Sequence, residues 1–296
     1  MNFKQALDLF IDEMKRQNKS ENTIKNYVAD LRNFEKFANN LVPHHRGDGG
    51  LSAWRQVLGN YTQWLKKSGL ASSTVNRRIQ SLKTFFATLH EKGVIDEDIA
   101  EDLRMVRVAK QNETRWLERH QVKAIFEAID MIKQNEEKRF RDRAIISVLV
   151  NCGLRVQELC DLKLEDIDWK AGLISVVGKG GKFRRVPFNP ATQRAVKKWL
   201  QFRRIDTPYL FHTERSDKMT PRAVQHLTEK LSERLTFNFT VHQLRHTALK
   251  NIADTTGKIE IVASVAGHEN VNTSKRYIEP SLAEIGEAMK QSEYDF

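Results

Sequence analysis

Residues 153–188 read GLRVQELCDLKLEDIDWKAGLISVVGKGGKFRRVPF, a stretch that ends in two short β-prone runs. Residues 173–177 and 183–188 are β-branched or alternating and are joined by GKGGK, which predicts an antiparallel hairpin with Lys179 in its turn. A glycine-rich turn with a lysine also suggests a nucleotide phosphate loop, but the G-x-x-x-x-G-K-[ST] pattern is absent. Upstream of the hairpin, Glu158 lies three residues after Arg155, where a carboxylate can pair with the guanidinium or pin a neighbouring element.

Outward from this stretch the period is helical. Residues 116–129 and 140–151 read as helices, the second nearly all apolar along AIISVLV and therefore buried, a rigid support for the GLRVQEL segment next to it. Beyond the hairpin, residues 193–202 and 220–235 read as helices, the latter with Pro221 in first position after Thr220, and residues 205–219 between them as a loop. The fold class expected is mainly α with a small antiparallel β-sheet.

Residues 240–280, TVHQLRHTALKNIADTTGKIEIVASVAGHENVNTSKRYIEP, concentrate chemistry. Thr240 is placed to cap a helix whose first turn carries His242 and Arg245, and residues three apart share a face, so both side chains can reach one anionic target. Gly267 and His268 come after a short apolar segment, residues 259–265, and Tyr277 comes nine residues after His268 in a polar run that reads as mobile and exposed. His242 and His246 also stand four apart, with His268 as a third candidate ligand for a metal hydrolase, but the glutamate of H-E-x-x-H is missing.

The first hundred residues carry four amphipathic patterns. Phe3, Leu7, Phe10, Ile11 and Met14 mark one helix, and Ile24, Tyr27, Leu31, Phe34 and Phe37 a second. After the turn-rich VPHHRGDGG come Trp54, Leu58, Tyr61 and Leu65, then Val75, Ile79, Leu82, Phe86 and Leu89. The aromatics fall at core spacing, so they read as packing. The polar face of the fourth helix, with Thr74, Asn76, Arg77, Arg78 and Lys83, combines hydroxyl, amide and cationic groups suited to phosphates and base edges. Residues 106–115, VRVAKQNETR, read as a linker, and a hinge there would let two domains close around a duplex.

Composition agrees with a polyanionic partner. The chain has 296 residues, a formal charge of +11 and 40% hydrophobic content, enough for two cores. Residues 1–110 hold 18 Lys/Arg against 13 Asp/Glu and residues 111–296 hold 31 against 25, so both parts share the excess. The two cysteines, Cys152 and Cys160, read as packing residues of a reduced protein. The amino-terminal stretch carries acids among its apolar residues and the longest apolar run is far too short to span a bilayer, so no export or membrane segment is expected and the location expected is cytoplasmic.

The order R, K, H-x-x-R, G-H, Y formed by Arg155, Lys179, His242, Arg245, His268 and Tyr277 resembles the signature of the tyrosine recombinase (phage integrase) family, and residues 153–188 resemble its first block almost end to end. The resemblance implies a helical core-binding domain over residues 1–105, a linker over 106–115 and an α+β catalytic domain over 116–296. It also implies a role for each residue. Tyr277 would be the nucleophile, forming a 3′-phosphotyrosyl link, while Arg155 and Arg245 clamp charge on the phosphate. His242 and His268 would serve hydrogen bonding and proton transfer, Lys179 would be the general acid and Glu158 would support them. Lys182, Arg184, Arg185 and Arg222 look like DNA contacts. No metal or other cofactor is called for. The partners implied are double-stranded DNA with a specific core site, further copies of the chain in a tetramer on synapsed DNA, and accessory DNA-bending proteins.

Two other readings compete. A type IB topoisomerase would share the chemistry, though the length is closer to small integrases, resolvases and Xer-type enzymes that have no arm-binding domain. A non-catalytic DNA-binding regulator would leave the six-residue set without a reason to coexist. In the tail, residues 281–284 form a capping box, and Leu282, Ile285, Ala288 and Met289 form an apolar face that the resemblance assigns to docking on a neighbouring protomer.

Overall fold

The apolar run at residues 144–150 lies at the centre of a helix, α6 (Glu136–Cys152), whose side chains from Ala144 to Leu149 are almost all shut off from solvent. Asn135 caps its start by accepting from the Lys138 amide, and Gly153 ends it in the left-handed conformation at φ 62°. A side chain there would be strained, and its Cβ would already touch Ala248 and Leu249 at 3.4 Å. The chain thus turns sharply at Gly153, against a neighbouring helix, two residues before Arg155.

In this computed structural model residues 2–41, 51–107, 116–178, 181–268 and 270–278 are described. The chain divides into two compact units, Met1–Asn112 and Glu113–Phe296. The first holds α1 (Phe3–Arg16), α2 (Glu21–Leu41), α3 (Leu51–Lys67) and α4 (Ser72–Glu91), matching the four patterns read from the sequence. Phe10, Phe34, Tyr61, Phe85 and Phe86 are buried and meet edge-on, with Phe34 to Tyr61 at 5.2 Å and Phe10 to Phe85 at 5.4 Å, so the aromatics are core.

In the second unit α5 (Arg119–Met131) and α6 lead through α7 (Val156–Asp161) into a three-stranded antiparallel sheet. Its strands are β1 (Ile167–Asp168), β2 (Leu173–Val177) and β3 (Phe183–Pro187), with Ile174 opposite Val186 and Val176 opposite Arg184. The hairpin is as expected, while β1 is too short to have shown in the sequence. Next come α8 (Pro190–Phe202), α9 (Pro221–Ser232), α10 (Val241–Thr256), α11 (Ile259–Ala266) and a 3₁₀ helix, Val271–Tyr277. α6 packs on α8 and α10 and so forms the floor of the unit.

Residues 205–219 are more than a surface loop. Leu210 and Phe211 are fully buried, the Leu210 amide donates to Leu162 O at 2.8 Å, and the Trp199 indole donates to Leu210 O at 2.9 Å. Leu210 and Phe211 are adjacent, and the other apolar residues of the stretch, such as Ile205 and Met219, lie too far off to form a period that would announce this. The linker expected at 106–115 lies largely outside the described residues, and the tail expected to form a docking helix lies wholly outside them.

Cys152 and Cys160 are free and buried, and burial pushes both thiols up to about 12. The thiolate is the reactive form, so neither should be modified by iodoacetamide in the native protein at neutral pH, and both should react once it is unfolded. Mass spectrometry of the alkylated chain checks this. Rapid labelling of either residue before unfolding would contradict this packing.

Candidate active site

Arg155 is the N-cap of α7. Its backbone amide donates to Glu158 Oε2 at 2.7 Å, its guanidinium to Glu158 Oε1 at 2.9 Å and to the Gly267 carbonyl at 3.1 Å. The same carboxylate receives both ends of Arg184 from β3, at 2.7 and 2.8 Å, and lies 4.0 Å from Arg245 on α10. Glu158 is buried and touches guanidinium groups from three separate elements. Burial alone would raise its pKa, but the Arg184 and Arg155 hydrogen bonds outweigh this and hold the carboxyl below its usual range. Three cations around one anion leave an excess of positive charge facing the cleft, a site for a phosphate.

Arg245 is also buried, and donates to the carbonyls of Gly153 at 2.5 Å and Ala266 at 2.7 Å. Burial, then the neighbouring charge of Arg155, lowers its pKa to about 10, so it stays cationic at neutral pH. Arg184 further donates from Nε to Val265 O at 3.0 Å, and a Cβ on Gly267 would come within 3.1 Å of its guanidinium. Gly267, in the left-handed conformation at φ 60°, therefore lets the end of α11 close down onto Arg184. His268 comes directly after, its Nδ1 paired with the buried Ser274 Oγ at 2.7 Å.

Tyr277 departs from expectation. In place of a mobile, exposed phenol, it is 2% exposed at the end of the 3₁₀ helix, packed on Leu249, Ala253 and Val262. Its hydroxyl meets His246 Nδ1 at 2.5 Å, and the rings of His246 and His242 stand edge-on at 4.1 Å. Polar neighbours in sequence do not make a residue exposed when its own ring has an apolar bed in the fold. Arg155, His242, Arg245, His246, His268 and Tyr277 all line one cleft of about 640 Å³. Among the described residues no group of three or more His, Cys, Asp or Glu is arranged to hold a metal ion.

Lys179 lies outside the described residues. The ends of its turn, Gly178 and Lys182, line a second cleft together with Arg155 and His268.

Of the residues expected at DNA, Arg184 is corrected: it turns inward onto Glu158, whereas Arg185 beside it is exposed. Strand alternation forces adjacent residues to opposite faces, and Arg184 shares the face of the buried Val186. On α4, Asn76 exchanges hydrogen bonds with the backbone of Val106, and Lys83 donates to the carbonyls of Glu101 and Leu103. Both hold the segment after α4 against it. Arg77 pairs with the buried Asp30, which Arg78 also approaches at 3.9 Å, while Thr74 remains partly accessible. Arg222 is exposed on α9 and paired with Glu229 at 2.8 Å.

Two members of the site escape a reading of the sequence. Strand alternation is the signal that could have found Arg184. His246 stands out in the sequence only as a candidate metal ligand, although its spacing of four from His242 already puts it on the same helical face.

The Phage integrase family model matches residues 115–284, and that of the phage integrase N-terminal SAM-like domain matches residues 7–93. Tyrosine recombinase XerA of Pyrococcus horikoshii is 30% identical over 290 residues, 97% of this chain and 93% of that protein. Tyrosine recombinase XerC of Vibrio vulnificus is 26% identical over 300 residues, 98% of this chain and 91% of that protein. The crystal structure of XerH site-specific recombinase bound to palindromic difH substrate, a post-cleavage complex, shares the fold with a TM-score of 0.76 over 93% of this chain and 81% of that one, at 19% identity. By its two matched models and its near full-length relatives, this chain belongs to the phage integrase family of tyrosine recombinases.

Proposed function

We propose that this protein is a site-specific DNA recombinase that breaks and rejoins strands through a phosphotyrosyl intermediate. The observation that carries this is the meeting of Arg155, Arg245, His242, His268 and Tyr277 in one cleft, in a chain of this family. Cleavage of a phosphodiester needs a nucleophile, charge neutralisation on the non-bridging oxygens and a proton for the leaving 5′ oxygen. Tyr277 supplies the first, Arg155 and Arg245 the second and Lys179 the third, with His242 and His268 hydrogen bonding the phosphate. Glu158 and Arg184 hold the two arginines and the His268 loop in register. The covalent link conserves the bond energy, so rejoining needs no nucleotide.

The first unit serves as the DNA-gripping domain. The match to the N-terminal model and the cationic part of α4, chiefly Arg77 and Arg78 with Thr74, support this, and Lys182, Arg185 and Arg222 extend the contact in the second unit. The spacing of Leu282, Ile285, Ala288 and Met289 in the tail sequence supports assembly of four copies on synapsed DNA. A DNA substrate and two reduced, buried cysteines suit action inside the cell.

The test is covalent trapping. The protein is incubated in EDTA with fragments of its own cell's DNA, denatured with SDS, and the attached fragments are sequenced to give the site. A nicked duplex carrying that site should then yield an SDS-resistant adduct with wild type and none with Tyr277→Phe. A full-yield adduct from the variant, or a strict metal requirement, would overturn the reading.

A further inference from the structure

We infer that His246, rather than His242 or His268, takes the proton from the Tyr277 hydroxyl as that oxygen attacks the phosphate. This rests on the recombinase reading above and adds a catalytic residue to it. The contact is direct, Nδ1 to phenolic oxygen at 2.5 Å, and both partners are buried, at 5% and 2% exposure. Bulk water therefore has poor access to the phenolic proton. A phenol with an ordinary pKa of about 10 is almost wholly protonated at neutral pH, so attack requires an acceptor, and an imidazole of ordinary pKa about 6.5 is largely neutral there.

The surroundings suit an acceptor. His246 sits in mid-helix on α10, one turn from His242. Among the described residues, the ionisable groups sharing its cleft are Arg155 from α7, His242 and Arg245 from α10, Glu229 from α9, His268 after α11, and Tyr277 itself. Arg155 and Arg245 line the same cleft, and their charge opposes a further cation on the ring. An arriving phosphate anion offsets them, so that the proton becomes easier to accept when substrate is bound.

The step balances. The Tyr277 oxygen forms its bond to phosphorus while its proton passes to His246 Nδ1. The P–O5′ bond breaks and the 5′ oxygen is protonated by the general acid, for which Lys179 is the candidate. On rejoining, the 5′ hydroxyl attacks and gives its proton back to the deprotonated general acid, while the phenolic oxygen leaves and the imidazolium returns the proton to it.

The test compares wild type with His246→Asn on the nicked duplex, in single turnover. Asparagine can place an amide atom near the position of Nδ1 and keep a hydrogen bond to the phenol, but cannot hold the proton. Single-site DNA affinity should be unchanged and cleavage at neutral pH about 100-fold slower or more. The wild-type rate should fall below a histidine-like inflection, and the variant should instead keep gaining rate with pH into the range where the phenol ionises itself. A fluorinated, more acidic tyrosine at position 277 should recover much of the variant's loss and change wild type little.

A variant that cleaves at the wild-type rate with an unchanged pH profile would reduce His246 to a packing role and overturn the inference, while leaving the adduct in wild type and the functional reading intact. If wild type forms no adduct, reading and inference fall together. Wild type also gives a readout that no misfolded variant can spoil. Nitrogen-15 NMR of the imidazoles should show His246 Nδ1 without a proton in the DNA-free protein, and a protonated Nδ1 donating to the phenol at neutral pH would overturn the assignment.

Discussion

Lys179→Ala should cleave an ordinary DNA substrate at least about 100-fold more slowly than wild type, and a substrate with sulfur at the bridging 5′ position at close to the wild-type rate. An alkoxide is a poor leaving group near neutral pH and needs a proton, whereas a thiolate, from a thiol of ordinary pKa about 8.5, leaves largely unaided. Arg245→Ala should be slow on both substrates, by about 100- to 1,000-fold, because charge on the non-bridging oxygens is untouched by sulfur at the bridge. The measurement is single-turnover adduct formation with each substrate, alongside DNA affinity and thermal unfolding. Unfolding matters for Arg245, whose removal also leaves the Gly153 and Ala266 carbonyls without their donor. Equal slowing of Lys179→Ala on both substrates would make the lysine a DNA contact or an electrostatic stabiliser, and would move the general acid to His268.

Glu158→Ala should be the most destabilising single change in this cleft. It leaves Arg184, 13% exposed, and Arg245, 6% exposed, facing each other and Arg155 with no anion between them. Removing one partner of a buried ion pair costs about 3–5 kcal/mol. For a unit of this size that lowers the unfolding midpoint by on the order of 10 °C. Cleavage should fall as well, since the carboxylate fixes Arg155 through two hydrogen bonds and, through Arg184, the end of α11 that precedes His268.

The pH dependence gives an independent check. The Glu158 carboxyl is held below its unfolded value, so its contribution is fully present above the unfolded pKa and is lost as pH falls through the folded one. Wild type should thus lose stability on acidification more steeply than Glu158→Gln. Calorimetry of the two proteins over the acid range measures this, and parallel curves would mean that the carboxylate is not the anion of the arginine cluster.

Much of the architecture is legible in the sequence because it is local. The 3.6-residue spacing of Phe3 to Met14 or of Val75 to Leu89 depends only on neighbours in the chain, as does the capping of α10 by Thr240, and the structure reproduces each. The same holds for the hairpin around GKGGK and for Pro221 at the start of α9. The residue types of the cleft are legible too, since H-x-x-R on a capped helix and G-H after an apolar segment are patterns of chemistry at fixed spacing.

Pairing is not legible, because a hydrogen bond is decided by atoms within about 3 Å and the chain says nothing directly about which distant groups come that close. Arg155 reaches Gly267 across 112 positions, Arg245 reaches Gly153 across 92, and Tyr277 reaches His246 across 31. That Arg184 faces Glu158, that Asn76 and Lys83 hold the segment beyond α4, and that Tyr277 lies buried are consequences of those closures. The sequence by itself determined the elements and the inventory of reactive groups, because both arise from short-range sterics and spacing. The tertiary structure alone decided which cation meets which anion and which histidine meets the tyrosine, because long-range packing sets distances that no local rule contains.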